Sequence, residues 1–421
     1  MCAGQTGISL RAMAGDRAGQ VRFGRFLRNP RVTPEEMVAT ARSHLLNRVQ
    51  GRDVVVIQDT TSLRDDGNKQ GLYLHPAIAV DAADGALLGL LTADFLLRDG
   101  TPKPHCNTRS LDQKESRRWV DVTRHAADLL AAGANSVLVV ADREADLYET
   151  FACLPDGVDV LVRAHHNRKM ADGSWLFDAC ANQPERGRET VALPAAPGRK
   201  AHKGRTARKT SVALRACRVD IPRPKRNHPD QAAALPASVA LTLLAVREVD
   251  PPAGETPLQW QLLTTRAIED LAGAQKIVAL YRGRWNIEQV FRVMKTRGFD
   301  IEAVPIQDDM PLKNLACATL IAAIQIQQML HDRDGLARRP MTDVFDAADQ
   351  PVIETIGKTL EGRTQRQRNP YPSGFLAHAT WVCARLGGWN GYYGKPGPIV
   401  LVNGHVRLMT MLEGIKRFRL V

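Results

Sequence analysis

Long apolar runs are missing from this chain, and none approaches the roughly 18–20 residues that a bilayer span requires. The basic N-terminal stretch, with Arg11, Arg17, Arg22, Arg25 and Arg28, lacks the apolar centre of a secretory signal. Cysteines are few and scattered (Cys2, Cys106, Cys153, Cys180, Cys217, Cys317, Cys383), and no two form a C-x-x-C pair. That spacing argues against a disulfide framework and against a cysteine zinc site. Acid is short as well: 45 Asp and Glu face 57 Lys and Arg, a net charge of +12 with a pI near 9.6. Such an excess fits a polyanionic partner, nucleic acid before membrane. The expected setting is therefore cytoplasmic and reducing, without membrane contact. An apolar content of 44% is ample for a core and excludes disorder throughout. The 421 residues suit one large domain with insertions, or two or three smaller ones.

Pro34-Glu35-Glu36 opens a helix running toward His44. The β-branched run Asp53–Ile57 reads as a strand that ends at Gln58-Asp59-Thr60-Thr61. Strand-like runs at Ile78–Val80 and Ala86–Leu97 flank an Asp84-Gly85 turn. The spacing of Trp119, Val122, Ala126, Leu129 and Leu130 predicts a helix over Asp112–Ala131. Ser136–Val140 is a buried-type strand ending at Ala141-Asp142-Arg143-Glu144, and Asp159–Val162 is another. This order indicates an α/β sheet with Asp59 and Asp142 at the C-terminal ends of two strands. Carboxylates there stand on rigid elements yet face solvent and ligand. Between 167 and 257 Pro, Gly and basic residues abound, with β character at Ser211–Ile221 and Ser238–Glu248. Residues 199–226 hold eleven Lys or Arg against Asp220 alone, which suits a solvated loop or a phosphate-tracking one. Leu258–Leu263 restores a strand, a long helix spans 268–297, and the C-terminal third is mostly helical.

On a helix, Tyr281, Arg284, Glu288, Arg292 and Lys295 share an arc of roughly 80° beside an apolar arc of Leu280, Ile287, Phe291 and Met294. One carboxylate among three cations and a phenol suits a metal-bound phosphodiester. A surface helix laced with i,i+4 pairs such as Glu288–Arg292 accounts for the same stripe. Asp59, Asp142 and Glu288 together could hold two divalent cations for phosphoryl transfer, although Asp at a strand end also serves turns and caps. His165-His166 has no third ligand at zinc spacing and reads as phosphate contact or surface. Glu144 and Asp146 read as partners of Arg143 or solvated acids; Asp65 and Asp66 read as solvated.

Gln58-Asp59-Thr60-Thr61-Ser62, Asp142-Arg143-Glu144-Ala145-Asp146 and the Tyr281/Arg284/Glu288/Lys295 helix together resemble bacterial DDE transposases of the insertion-sequence-four family. Phe26-Leu27-Arg28-Asn29-Pro30, Lys114-Glu115-Ser116, Gly254-Glu255-Thr256-Pro257, Trp260-Gln261-Leu262-Leu263 and Ala384-Arg385-Leu386-Gly387-Gly388 extend the resemblance, in order, from about Arg22 to the C-terminal end. The resemblance implies an α/β fold: a ribonuclease-H-like catalytic domain, a β-rich insertion and a mainly helical C-terminal region. It makes Asp59, Asp142 and Glu288 the metal-binding catalytic triad for two Mg2+ ions, with Mn2+ able to substitute. It makes Tyr281, Arg284, Arg292, Lys295, Trp260 and Arg163 DNA contacts, with Trp260 stacking on a flipped base during hairpin formation. A flipped nucleotide recovers roughly 1–3 kcal/mol by stacking on such a π-face.

The implied segments are a shortened N-terminal DNA-binding region (1–50), a catalytic core in two parts (51–166 and 258–330), the basic insertion (167–257) and a dimerisation region (331–421). The implied activity is cut-and-paste transposition by a nucleoid-associated homodimer acting on transposon ends and target DNA. Only 58 residues precede Asp59, fewer than the family's end-recognition domain occupies. That shortness keeps a truncated non-catalytic inhibitor that binds ends in view, and a general Mg-dependent nuclease of the same fold, without end specificity, is a further alternative.

Overall fold

A computed structural model describes residues 16–65, 70–101, 104, 108–195, 205–225, 235–295 and 298–419. Asp66, residues 199–204 and Arg226 of the basic run lie outside these. In chain order the elements are α1 (Arg17–Leu27), α2 (Pro34–Leu46), β1 (Asp53–Gln58), β2 (Thr61–Asp65), β3 (Gly71–Asp81), β4 (Leu87–Arg98), α3 (Arg117–Ala131), β5 (Ser136–Ala141), α4 (Tyr148–Ala152) and β6 (Val158–Arg163). There follow β7 (Gly187–Leu193), β8 (Arg208–Pro222), β9 (Ser238–Glu248), β10 (Gln259–Thr264), α5 (Leu271–Gly283) and α6 (Trp285–Lys295). The chain ends with α7 (Asp309–His331), α8 (Gln350–Leu360), α9 (Leu376–Leu386) and α10 (Pro398–Arg419). The chain is thus mixed α/β, with strands concentrated before residue 265 and helices after it. Among the described residues no helix is long and apolar enough to cross a membrane.

Packing divides the chain into two compact units, residues 1–54, 60–100 and 285–421 in one, and 55–59 and 101–284 in the other. The five segments read from the sequence follow composition instead, and the 167–257 segment falls wholly inside the second unit.

In the first unit, Thr33 caps α2 by accepting from the Glu36 N–H at 3.3 Å, with Pro34 in the first turn. β3 and β4 form an antiparallel hairpin, and β2 pairs with β3 across a bulge. The β3–β4 turn relies on Gly85 at φ 74° and on Asp84 accepting from the Ala86 N–H at 2.8 Å. β2 was not expected, because Thr61–Asp65 is short and polar; β3 begins seven residues earlier than Ile78, since Tyr73 and His75 disguise a fully buried strand. Asn314 on α7 donates to the carbonyls of Leu27 and Val32 at 2.9 and 2.7 Å, which fixes the α1–α2 connection. Where α10 crosses α9, a Cβ on Gly404 would lie 1.6 Å from the Cys383 carbonyl oxygen, so only glycine permits that approach.

The second unit is built on a sheet in which β1, β5, β6, β10, β9, β8 and β7 are successive neighbours. β5 and β6 run parallel, while β6–β10, β10–β9, β9–β8 and β8–β7 are antiparallel. Val54–Gln58 and Val137–Ala141 are continuously buried, as expected for strands covered on both faces. α3 buries Trp119, Val122, Ala126 and Leu129 at the predicted spacing but starts at Arg117; a 3-10 turn over Leu111–Gln113 takes the place of its expected first turn. The long helix expected over 268–297 is two helices. At Arg284 the N–H bonds to Tyr281 at 3.1 Å, an i→i−3 contact that interrupts the α-helical ladder just after Gly283. The five-residue stripe over 281–295 therefore does not lie on one continuous helix.

His405 on α10 is buried beside Phe345, and its Nε2 has no hydrogen-bond partner among the described residues. Burial pushes its pKa down to about 4. An unfolded imidazole titrates near 6.5, so as pH falls the unfolded chain takes the proton first. The stabilisation is complete above about pH 6.5 and is lost as pH falls toward about 4. Urea titrations across this window should show a loss on the order of 3 kcal/mol, and His405→Met should remove that component. An identical pH profile in the variant would exclude His405 as its source.

Candidate active site

Asp59 directly follows β1, whose last residue, Gln58, is fully buried and donates to the Trp119 carbonyl at 3.3 Å. The strand is thereby anchored to α3, which gives the acid a fixed base. Asp59 Oδ2 accepts from Arg284 Nη1 at 2.7 Å, with both side chains mostly buried (20% and 11% exposed). Charge-assisted contacts of this length are the stronger kind.

Asp142 directly follows β5. Its Oδ1 accepts from the Glu144 N–H at 2.9 Å and caps the 3-10 turn Arg143–Ala145. The capping role that a strand-end Asp often fills is thus present. Glu144 is exposed and pairs with Arg118 at 3.1 Å, not with Arg143.

Tyr281, near the end of α5, is buried, and its phenol lies within the fields of Arg163, Arg284 and Asp142. Burial raises its pKa; Arg163 and Arg284 oppose that rise and Asp142 adds to it. Arg163, the last residue of β6, sets its charge against this phenol and donates to the Gln259 carbonyl at 3.2 Å. Trp260 on β10 meets the Tyr281 ring edge-on, at 5.3 Å between centroids and 64° between planes. The indole is half-buried, whereas the phenol is buried. Asp59, Asp142, Arg163, Trp260, Tyr281 and Arg284 therefore gather in the second unit.

Glu288, Arg292 and Lys295 lie on α6 in the first unit. Glu288 is half-buried, Arg292 is exposed, and Lys295 pairs with Glu302 at 2.7 Å. Two of the three cations expected around Glu288, Arg284 and Lys295, are accordingly engaged by acids.

The sequence profile of the transposase DDE domain matches residues 110–324, just over half of the 421 residues. The chain belongs to the DDE transposase family. Asp142, Arg163, Trp260, Tyr281, Arg284 and Glu288 fall inside the matched span, and Asp59 precedes it. A DDE transposase binds DNA and cuts or transfers its strands, and such domains use divalent metal ions.

Among the described residues no three His, Cys, Asp or Glu side chains form a group that could hold a metal ion. The donor chemistry nevertheless suits a hard cation, since the acids at the strand ends offer carboxylate oxygens and no thiolate or imidazole. The Arg284 guanidinium already sets positive charge against Asp59, so a cation arriving there competes with it.

One residue of this neighbourhood escaped the sequence reading. Asp146 is fully buried, not solvated: it forms an ion pair with Arg168 and its Oδ2 accepts from the N–H groups of His165 and His166 at 2.7 and 3.0 Å. It thereby holds the chain where it leaves Arg163. His165 and His166 are exposed and meet edge-on at 4.6 Å; burial lowers the His166 pKa against the pull of Asp146. Nothing local marks Asp146, because its amide partners lie 19 and 20 residues away. Asp146→Ala strands two amides and a half-buried guanidinium, and should cost roughly 3–5 kcal/mol in chemical denaturation. A loss under about 1 kcal/mol, the range of an exposed pair, would contradict this anchoring.

Proposed function

We propose that the chain is a cut-and-paste DNA transposase with a ribonuclease-H-like catalytic domain, acting through Asp59, Asp142 and Glu288. The observation that carries the reading is the DDE transposase match, joined to the gathering of acids, guanidiniums and a half-buried indole in one unit. Asp59, Asp142 and Glu288 would hold two Mg2+ ions, with Mn2+ able to substitute. When bound, such ions supply Lewis-acid stabilisation of phosphoryl transfer and activation of the attacking oxygen.

The chain's own residues contribute position and charge. Arg163, anchored on the Gln259 carbonyl, and Arg284, anchored on Asp59, present fixed guanidiniums to a phosphodiester beside the buried Tyr281. Arg292 and Lys295 add cationic contacts along the DNA backbone. Trp260, half-buried and braced by Tyr281 on one edge, would offer its ring to a base swung out of the stack. In the proposed sequence, water attacks the phosphorus at each transposon end and releases a 3′-hydroxyl. That hydroxyl attacks the opposite strand to close a hairpin, water reopens it, and the 3′-hydroxyl then attacks target DNA.

A homodimer is part of this reading, each subunit acting on an end that its partner helps to bind. The exposed Ile399, Val406 and Met409 recur along α10 at helical spacing and supply an apolar stripe for the contact.

One assay separates the readings: Mg2+, a labelled fragment carrying the element's inverted repeats, and the unmutated protein beside Glu288→Ala. Site-specific nicks and hairpins, abolished in Glu288→Ala, are expected. Binding without cleavage by the unmutated protein would indicate an end-binding inhibitor, and cutting without end preference a general nuclease. Trp260→Ala should retain nicking while hairpin formation falls roughly 5- to 150-fold, the equivalent of one lost base stack. Equal loss of both steps would remove the indole from the hairpin step.

A further inference from the structure

Two cysteines distant in sequence meet in the second unit: Cys180 Sγ lies 3.1 Å from Cys217 Sγ. Cys180 follows the 3-10 turn Leu176–Asp178, at the end of the segment that leaves Arg163. Cys217 sits within β8, opposite Leu243 of β9. Their surroundings differ. Cys180 is 2% exposed, whereas Cys217 is half-buried. The Cys180 thiol has two acceptors in reach, Cys217 Sγ and the Leu243 carbonyl at 3.6 Å. A hydrogen bond from Cys180 favours the thiolate of Cys217 and lowers its pKa, while Cys180 is pushed up by that bond and by burial. Burial raises the pKa of Cys153, Cys317 and Cys383. Cys217 thus combines partial exposure with thiolate character, the two conditions for thiol oxidation.

We propose that Cys180 and Cys217 form a reversible oxidation site, which peroxide-class oxidants close to an intrachain disulfide, Cys217 reacting first and Cys180 resolving it. The Cys217 thiolate attacks one peroxide oxygen and the O–O bond breaks. The departing oxygen takes a proton and leaves as water, and the sulfur, oxidised by two electrons, becomes a sulfenic acid. Cys180 sulfur then attacks Cys217 sulfur: the S–S bond forms, the S–O bond breaks, and the hydroxide leaves as water with the Cys180 proton. Two thiols and one peroxide yield one disulfide and two waters. The sulfurs need approach by only about 1 Å to reach bonding distance. The bond ties the end of the segment leaving Arg163 to β8 and closes the loop 180–217, which constrains the unfolded chain.

The test treats the reduced, folded, full-length protein with near-stoichiometric hydrogen peroxide, followed by non-reducing peptide mass mapping. The Cys180–Cys217 crosslink should dominate, revert with dithiothreitol, and raise the thermal midpoint of the oxidised protein. In Cys180→Ser the crosslink should vanish and dimedone should label Cys217. A crosslink that forms only after denaturation, or oxidation falling first on Cys153 in the unmutated protein, would overturn the proposal. Dimedone labelling at Cys180 in Cys217→Ser, as fast as at Cys217 in Cys180→Ser, would overturn the assignment of roles.

Discussion

The antiparallel pairing of β10 with β6 is the constraint on which the second unit depends. It is sealed at both ends. Thr264 and Thr265 bond the Val160 carbonyl and the Asp159 carboxylate at 2.7 Å each, and Arg266 reaches the same carboxylate at 2.7 Å. At the other end the Ala164 N–H bonds the Gln261 carbonyl at 2.7 Å, and Arg163 reaches the Gln259 carbonyl. Because β9, β8 and β7 continue outward from β10, this one register joins the whole β-rich segment to the parallel pair β5–β6. It also places Trp260 near Arg163, where a shift by one residue would turn the indole to the opposite face of the sheet.

Around that pairing, buried polar groups do the positioning. Arg284 interrupts a helix and spends its guanidinium on Asp59, so the break and the ion pair occur at one residue. Tyr281 lies one turn earlier and is buried against Trp260. Its hydroxyl lies within the fields of Arg163 and Arg284, which oppose the rise that burial gives its pKa. Asp146 performs the same service for the chain beyond Arg163. A DDE transposase has to hold a charged backbone, and cations fixed by buried partners lose less conformational freedom on binding than free ones.

Much of this was legible in the sequence. The strands ending at Asp59 and Asp142 appeared as β-branched runs, the face of α3 as a repeat of apolar residues, and the start of α2 as Pro34 followed by two glutamates. The family resemblance rested on motifs such as Asp142-Arg143-Glu144-Ala145-Asp146, and the transposase DDE domain match covers those from Lys114 to Lys295. Other features were hidden because composition misled. Asp146 looked like a surface acid, β2 looked like a polar loop, and periodicity alone carried one helix straight through Arg284.

Taken by itself, the sequence determined what depends on neighbours a few residues apart: strand and helix content, the Pro34 helix start, the Asp84-Gly85 turn, the basic excess and the motifs of a DDE transposase. The tertiary structure alone decided what depends on distant partners: β10 against β6, Arg284 against Asp59, Asp146 beneath His165 and His166, Cys180 beside Cys217. Periodicity and propensity act within a window of residues, whereas these contacts are selected by burial, which leaves a polar group only the partners that the completed fold brings within reach.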